Sequence, residues 1–218
     1  MENEWVMRKY IILVVFCLSI LISFCAKEKT SHTEEQSSTA MKSSIDEKCI
    51  IQKETIEKYF KFKFGDSYKS VDFSKIEYFA DDQGRIDDQI LGYVCCFPNL
   101  ISLTASWSKN VTDIGVKNFV ECRLKNHGQR MNGINFQGTS ITNESVKSLS
   151  ELKEVGELFL DDNDKINDTA IQYFKKFTSI GSLSIVATGI TAEGAEKLRK
   201  MKHIQGVDSE YHVPANQE

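Results

Sequence analysis

The run Asp161-Asp162-Asn163-Asp164, followed closely by Asn167-Asp168, gathers oxygen donors of the kind that hold a hard cation such as calcium. An EF-hand loop also needs a glycine at its turn and a glutamate twelve positions from the first aspartate, and Gln172 stands at that position. Asn163 and Asn167 suit structural posts instead, one bracing a turn and one capping a helix, so no metal is expected here. Cys49, Cys95, Cys96 and Cys122 form no C-x-x-C pair, and His32, His127, His203 and His212 are scattered, which supports neither a zinc site nor a redox motif. The chain lacks G-x-S-x-G, a phosphate-binding loop, H-E-x-x-H and a dinucleotide fingerprint. Its carboxylates fall at caps and loops, where solvation accounts for them. No catalytic residue, cofactor or enzymatic activity is expected. A formal charge of -4 argues against nucleic acid as a partner, because phosphate binding needs clustered cations.

The first residues read as an address. Arg8 and Lys9 precede an apolar run from Ile11 to Phe24, the length of a signal-peptide core and short for a membrane span. Met7 makes a tidier start than Met1. The run closes on Ile22-Ser23-Phe24-Cys25-Ala26-Lys27, which resembles the lipobox of bacterial lipoproteins, with Phe24 standing where that family carries a small residue. The resemblance implies a signal peptide over 1–24 and lipid attachment at Cys25, hence a membrane partner through that lipid. It also implies an envelope location, at the outer membrane or cell surface. An uncleaved signal anchor and a plain secretory peptide are the alternatives. Residues 25–48 carry almost no apolar side chains after the cysteine, too few to offset chain entropy, and read as a tether.

Between Cys49 and Phe64, Ile56, Tyr59 and Phe60 stand at helical spacing among Lys and Glu, so 49–73 is expected to form a cap helix, with Val71 and Phe73 completing it. A helix lying on a membrane surface is the competing reading. From Ser74 onward a pattern recurs. A first inward strand residue falls at Tyr78, Leu103, Ile134, Leu158, Leu183 and Val207, in steps of 25, 31, 24, 25 and 24 residues. Seven or eight residues later comes a branched aliphatic residue, at Ile86, Val111, Ile141, Ile166 and Ile190. A polar pair follows each (Asp87-Asp88, Thr112-Asp113, Thr142-Asn143, Asn167-Asp168, Thr191-Ala192), and its first member suits a helix N-cap. Two or three inward side chains per strand cannot be buried alone, whereas stacked coils share one core.

Ile180, Leu183, Ile185, Thr188 and Ile190 fit the pattern L-x-x-L-x-L-x-x-N/C-x-L, as do Met131, Ile134, Phe136, Thr139 and Ile141. The chain thus resembles the leucine-rich repeat family over about residues 74–209. Val111-Thr112-Asp113-Ile114-Gly115 and the segment Cys95 to Leu100 resemble its cysteine-containing subclass. The resemblance implies an α/β solenoid over 74–218, with parallel strands on a concave face and helices on a convex face, behind the N-terminal cap helix. Within that family the cysteines are expected to be small buried core residues. A bridge from Cys95 or Cys96 to Cys122 is the alternative, open to an exported chain.

Strand residues that flank the inward ones should face the concave side. The candidate partner-binding residues are Phe79, Thr104, Asn135, Gln137, Phe159, Asp161 and Ser184, with Trp107 at the rim. The long step inserts residues 123–130, a basic loop that could assist or be a tolerated insertion. The function this implies is non-catalytic binding of a protein partner by an envelope-anchored repeat lipoprotein. A self-associating structural component of the envelope is the alternative.

Overall fold

A computed structural model describes residues 49–50, 52–70 and 72–211. The expected signal peptide, Cys25, the tether and Val71 lie outside the described residues. Six strands form one parallel sheet whose spatial order follows chain order. They are β1 (Tyr78–Asp81), β2 (Ser102–Ala105), β3 (Arg130–Asn135), β4 (Glu154–Phe159), β5 (Ser179–Ser184) and β6 (Ile204–Asp208). Parallel neighbours cannot be joined by a tight hairpin, so the chain must cross back between them. Helices α2 (Asp88–Tyr93), α3 (Asp113–Asn126), α4 (Asn143–Leu149), α5 (Ile171–Phe174) and α6 (Ala192–Arg199) make those returns. The class is α/β.

Register explains the spacing in the sequence. Leu103, Ile134, Leu158 and Leu183 sit side by side on adjacent strands, and all four are buried. Met131, Val155, Ile180 and Ile204 form a second such row. Ile86, Val111, Ile141, Ile166 and Ile190 are also buried where each chain segment turns toward its helix. Each such side chain contributes about 1.5–3 kcal/mol through burial.

The first strand departs from the expected phase by one residue. Phe79, not Tyr78, pairs with Leu103, and Tyr78 is 69 % exposed while Phe79 packs against the core. The cause is the helix that precedes it. Residues 52–64 form α1, which buries Ile56 and Phe60. Phe60 stacks on Phe79 with centroids 5.5 Å apart and meets Phe97 at 6.0 Å. An aromatic partner at 79 completes that cluster, whereas inward Tyr78 would bring a hydroxyl into it. Phe79 therefore packs mainly against the core and is only partly exposed. Its successor Asp81 is buried and held by Arg85, whose Nε donates to Oδ1 at 2.7 Å.

Two further expectations are corrected. The cysteines are bonded rather than free: Cys49 to Cys96 and Cys95 to Cys122, with Cα separations of 5.5 and 5.6 Å. The neighbouring Cys95 and Cys96 thus reach in two directions, one toward α3 and the other toward the residues that begin α1. The first half of the 123–130 insertion is helix, since α3 continues to Asn126. Arg123 is buried there, and its Nε and Nη1 find no hydrogen-bond partner among the described residues. Desolvation pulls its pKa down.

The polar pairs do two jobs. Their first members cap helices: the side chains of Asp87, Thr112, Thr142, Asn167 and Thr191 accept from backbone N–H groups two or three residues on. In the first four pairs the second members reach the next cap along the chain. Thr112 donates its N–H and hydroxyl to the two oxygens of Asp88, at 2.8 and 2.6 Å. Thr142 does the same to Asp113, and Thr191 to Asp168. Asn143 and Asn167 exchange equivalent bonds through amides. This clamp explains the glycine of Thr112-Asp113-Ile114-Gly115, because a Cβ on Gly115 would overlap the Asp88 carboxylate. Gly194 clears the same space for Asp168, whereas Ser145 meets Asp113 through its own N–H at 3.1 Å and its hydroxyl.

Asp87 also ties α1 to α2, accepting from the Tyr59 hydroxyl at 2.6 Å and pairing with Lys63 at 2.5 Å. Burial alone would raise its pKa, but Lys63, Tyr59 and the Ile90 N–H outweigh that and hold it below the usual carboxylate range. A depressed folded pKa contributes stability that is complete above the unfolded value, about 3.9, and is lost as pH falls through the folded value. Asp87→Asn is expected to cost about 1–3 kcal/mol at neutral pH. Its deficit should shrink as pH falls below 4, measured by urea unfolding across pH. A deficit unchanged down to pH 2 would assign the loss to the amide's shape rather than to charge.

Candidate functional site

Side chains alternate across a strand, so each strand carries one row toward the buried side and one away from it. On the face away from the core, Ala80, Thr104, Asn135, Phe159, Ser184 and Asp208 are register partners across all six strands. Two residues earlier, Tyr78, Ser102, Gly133, Glu157, Ser182 and Gly206 form a parallel row. Thr104, Asn135, Phe159 and Ser184 are thus brought side by side, as the spacing predicts. Phe79 is not among them, for the reason given above, and Tyr78 supplies the exposed aromatic of β1.

Burial and hydrogen bonding sort the other candidates. Thr104, Asn135, Gln137 and Phe159 are half-buried on this face. Asp161 and Ser184 are buried. The Ser184 hydroxyl and the Val186 N–H both donate to Asp161 Oδ1 at 2.6 Å, so these polar groups are spent on each other and on holding the segment after β5. A buried carboxylate without such donors would be costly, which is why the pair turns inward. Both side chains are thus engaged within the chain. Gln137 lies on the rim, where its amide donates to the exposed Asp162 at 2.8 Å and its N–H to Asn135 Oδ1 at 2.9 Å.

Trp107 is the rim residue that sequence reasoning placed best. It is 49 % exposed, with a positive φ of 61°. Its ring lies over Gly138, whose missing side chain leaves the room. The face is therefore small and polar through its middle, with Tyr78, Trp107 and Phe159 presenting aromatic surface. Aromatic side chains carry much of the energy of protein contacts because they bury large areas at low entropy cost.

Among the described residues no group of three or more His, Cys, Asp or Glu is placed to hold a metal. In the Asp161–Asp164 run, Asn163 is buried and fully engaged with backbone carbonyls of its own and the preceding turn. Among the described residues no helix is long and apolar enough to cross a membrane. No protein-family model matches the chain, and no curated protein matches it either.

Proposed function

We propose that this chain is a leucine-rich-repeat solenoid carried by an envelope lipoprotein, and that it acts as a non-catalytic protein-binding module. The observation that carries the reading is the pair of rows on the face away from the core, which run across six strands, partly exposed and mostly small and polar, with aromatic surface at Tyr78, Trp107 and Phe159. Such a face offers shape and apolar area without reactive groups, which suits recognition better than catalysis. The recurrence of inward residues, caps and clamps once per coil, with inward residues 24 or 25 apart except for one step of 31, supports the solenoid reading. The lipobox-like segment at Cys25 supports the anchor.

A photocrosslinking residue placed at position 159 of the full chain tests the face. It is expected to capture a foreign protein, whereas the same residue at Lys117, exposed on α3, should not. Adducts only between copies of the chain would favour the structural, self-associating alternative. Equal capture from both positions would remove the face from consideration. The anchor has its own test, mass spectrometry of the mature N-terminus. A lipid-modified Cys25 is expected, and an unmodified one would end the lipoprotein reading.

A further inference from the structure

The sheet is open, and β1 is one of its edges. In a parallel pair, alternate residues direct both backbone groups to the same neighbour. The Glu77 carbonyl accepts from Ile101 at 2.8 Å, which sets that phase. Glu77, Phe79 and Asp81 then face β2, leaving the N–H and C=O of Tyr78 and Ala80 on the open side. Such an edge is a template for another strand unless it is blocked.

Alongside it lies a groove of about 390 Å³ lined by Phe60, Phe64, Tyr68, Phe79, Lys69 and Arg85 among others. Three features define what would fit. The walls are aromatic. Among the described residues the lining holds two cations and no carboxylate. The Tyr68 hydroxyl is buried without a hydrogen-bond partner among the described residues, a costly state that an incoming acceptor would relieve. Arg85 is held in place by its ion pair with Asp81, which offsets part of its charge, and by the Phe64 ring, 5.0 Å from its guanidinium, so the guanidinium is fixed at the rim. A second hollow of about 470 Å³ shares Ile76 and Tyr78 with the groove and continues the concavity along the edge.

We propose that the β1 edge binds an extended peptide segment of a partner protein, which adds to the sheet as a seventh strand, sets an aromatic or branched side chain in the Phe60–Phe64–Tyr68 groove and directs an adjacent carboxylate to Lys69 and Arg85. Strand addition of this kind draws affinity from main-chain bonds and selectivity from pockets for alternate side chains. The inference rests on the protein-binding reading and shares Tyr78 and Ala80 with the two rows, but uses the open edge of β1 rather than the face of the sheet.

The test uses the full chain and a capped peptide, Gly-Thr-Phe-Thr-Asp-Gly, with binding followed by calorimetry. Three peptide variants accompany it: Phe replaced by Ser, Asp by Asn, and one N-methylated at each Thr. The parent peptide is expected to bind, and N-methylation should weaken it by at least about tenfold by removing strand bonds. The Ser variant should lose a similar factor. In the protein, Tyr68→Phe and Lys69→Glu should each weaken the parent peptide about five- to tenfold while the unfolding midpoint stays within a few degrees of the parent protein's. Lys69→Glu should also weaken the Asp peptide more than the Asn peptide. Absence of binding at millimolar peptide, or binding indifferent to N-methylation, overturns the proposal. If the peptides fail while position 159 still captures a foreign protein, only the edge site falls. If both fail, the protein-binding reading falls with it.

Discussion

Reduction of the two disulfides is expected to lower the stability of the folded unit by about 3–5 kcal/mol, a fall in Tm of about 10 °C. Cys49–Cys96 spans 47 residues and Cys95–Cys122 spans 27. Loops of these lengths correspond to roughly 4 and 3.5 kcal/mol in the chain-entropy account, and because the loops overlap the two contributions will not simply add. The loss should be local before it is global. Cys49 lies where α1 begins, and α1 buries only two of its described residues, Ile56 and Phe60, to below 2 % exposure. Replacing Cys49 and Cys96 together by Ala should strip hydrogen-exchange protection from 56–60 while leaving β4 and β5 protected. Replacing Cys95 and Cys122 should instead loosen the end of α3. Non-reducing peptide maps must show these two pairings. Finding 49 joined to 95, or protection in α1 unchanged, would refute the arrangement.

These bonds also mark where sequence reading stopped. The inward positions of β2 to β5 and the helix caps were legible, because each depends on local alternation or on a side chain reaching two or three residues along its own chain. Disulfide pairing depends on distances between segments that only the fold sets, and two adjacent cysteines leave the choice open until those distances are known. The phase of β1 failed for a related reason. Tyr78 and Phe79 are both aromatic, so alternation fits either phase, and the decision was made by Phe60 and Phe97 from outside the strand. The clamps were half visible. Thr112-Asp113 and Asn167-Asp168 read as caps, but the second residue's partner lies one segment further on. On the candidate face, the row of Thr104, Asn135 and Phe159 followed from spacing alone. The withdrawal of Asp161 and Ser184 from it did not, since it depends on a contact between neighbouring segments.

Asn163→Ala is expected to be the most damaging single substitution of a polar residue, costing about 3–4 kcal/mol. The side chain is 2 % exposed. Its Nδ2 shares two N–H groups among three carbonyls, those of Phe136 and Leu160 at 2.9 Å and of Asp161 at 3.0 Å. Its Oδ1 accepts from the N–H of Thr139 at 3.1 Å and lies 3.1 Å from the Thr139 hydroxyl, whose one proton is shared with the Phe136 carbonyl. Alanine leaves these buried groups without their partner, and a water can replace only some of the bonds. Threonine provides a graded comparison. Thr139 and Thr188 each donate a hydroxyl to one carbonyl three residues back, at 2.9 and 2.8 Å. Asn163→Thr should therefore recover one bond and about 1 kcal/mol of the loss. Asn163→Asp keeps the acceptor but sets a negative charge against three carbonyl oxygens, so it should be at least as damaging as alanine at neutral pH. Protonation returns a donor, and the aspartate variant should regain stability relative to alanine as pH falls below about 5. Urea midpoints with an unchanged m-value would measure the series. A loss below about 1 kcal/mol for alanine would mean that the turn carbonyls find water readily, and that Asn163 is only one of several ways to close this turn.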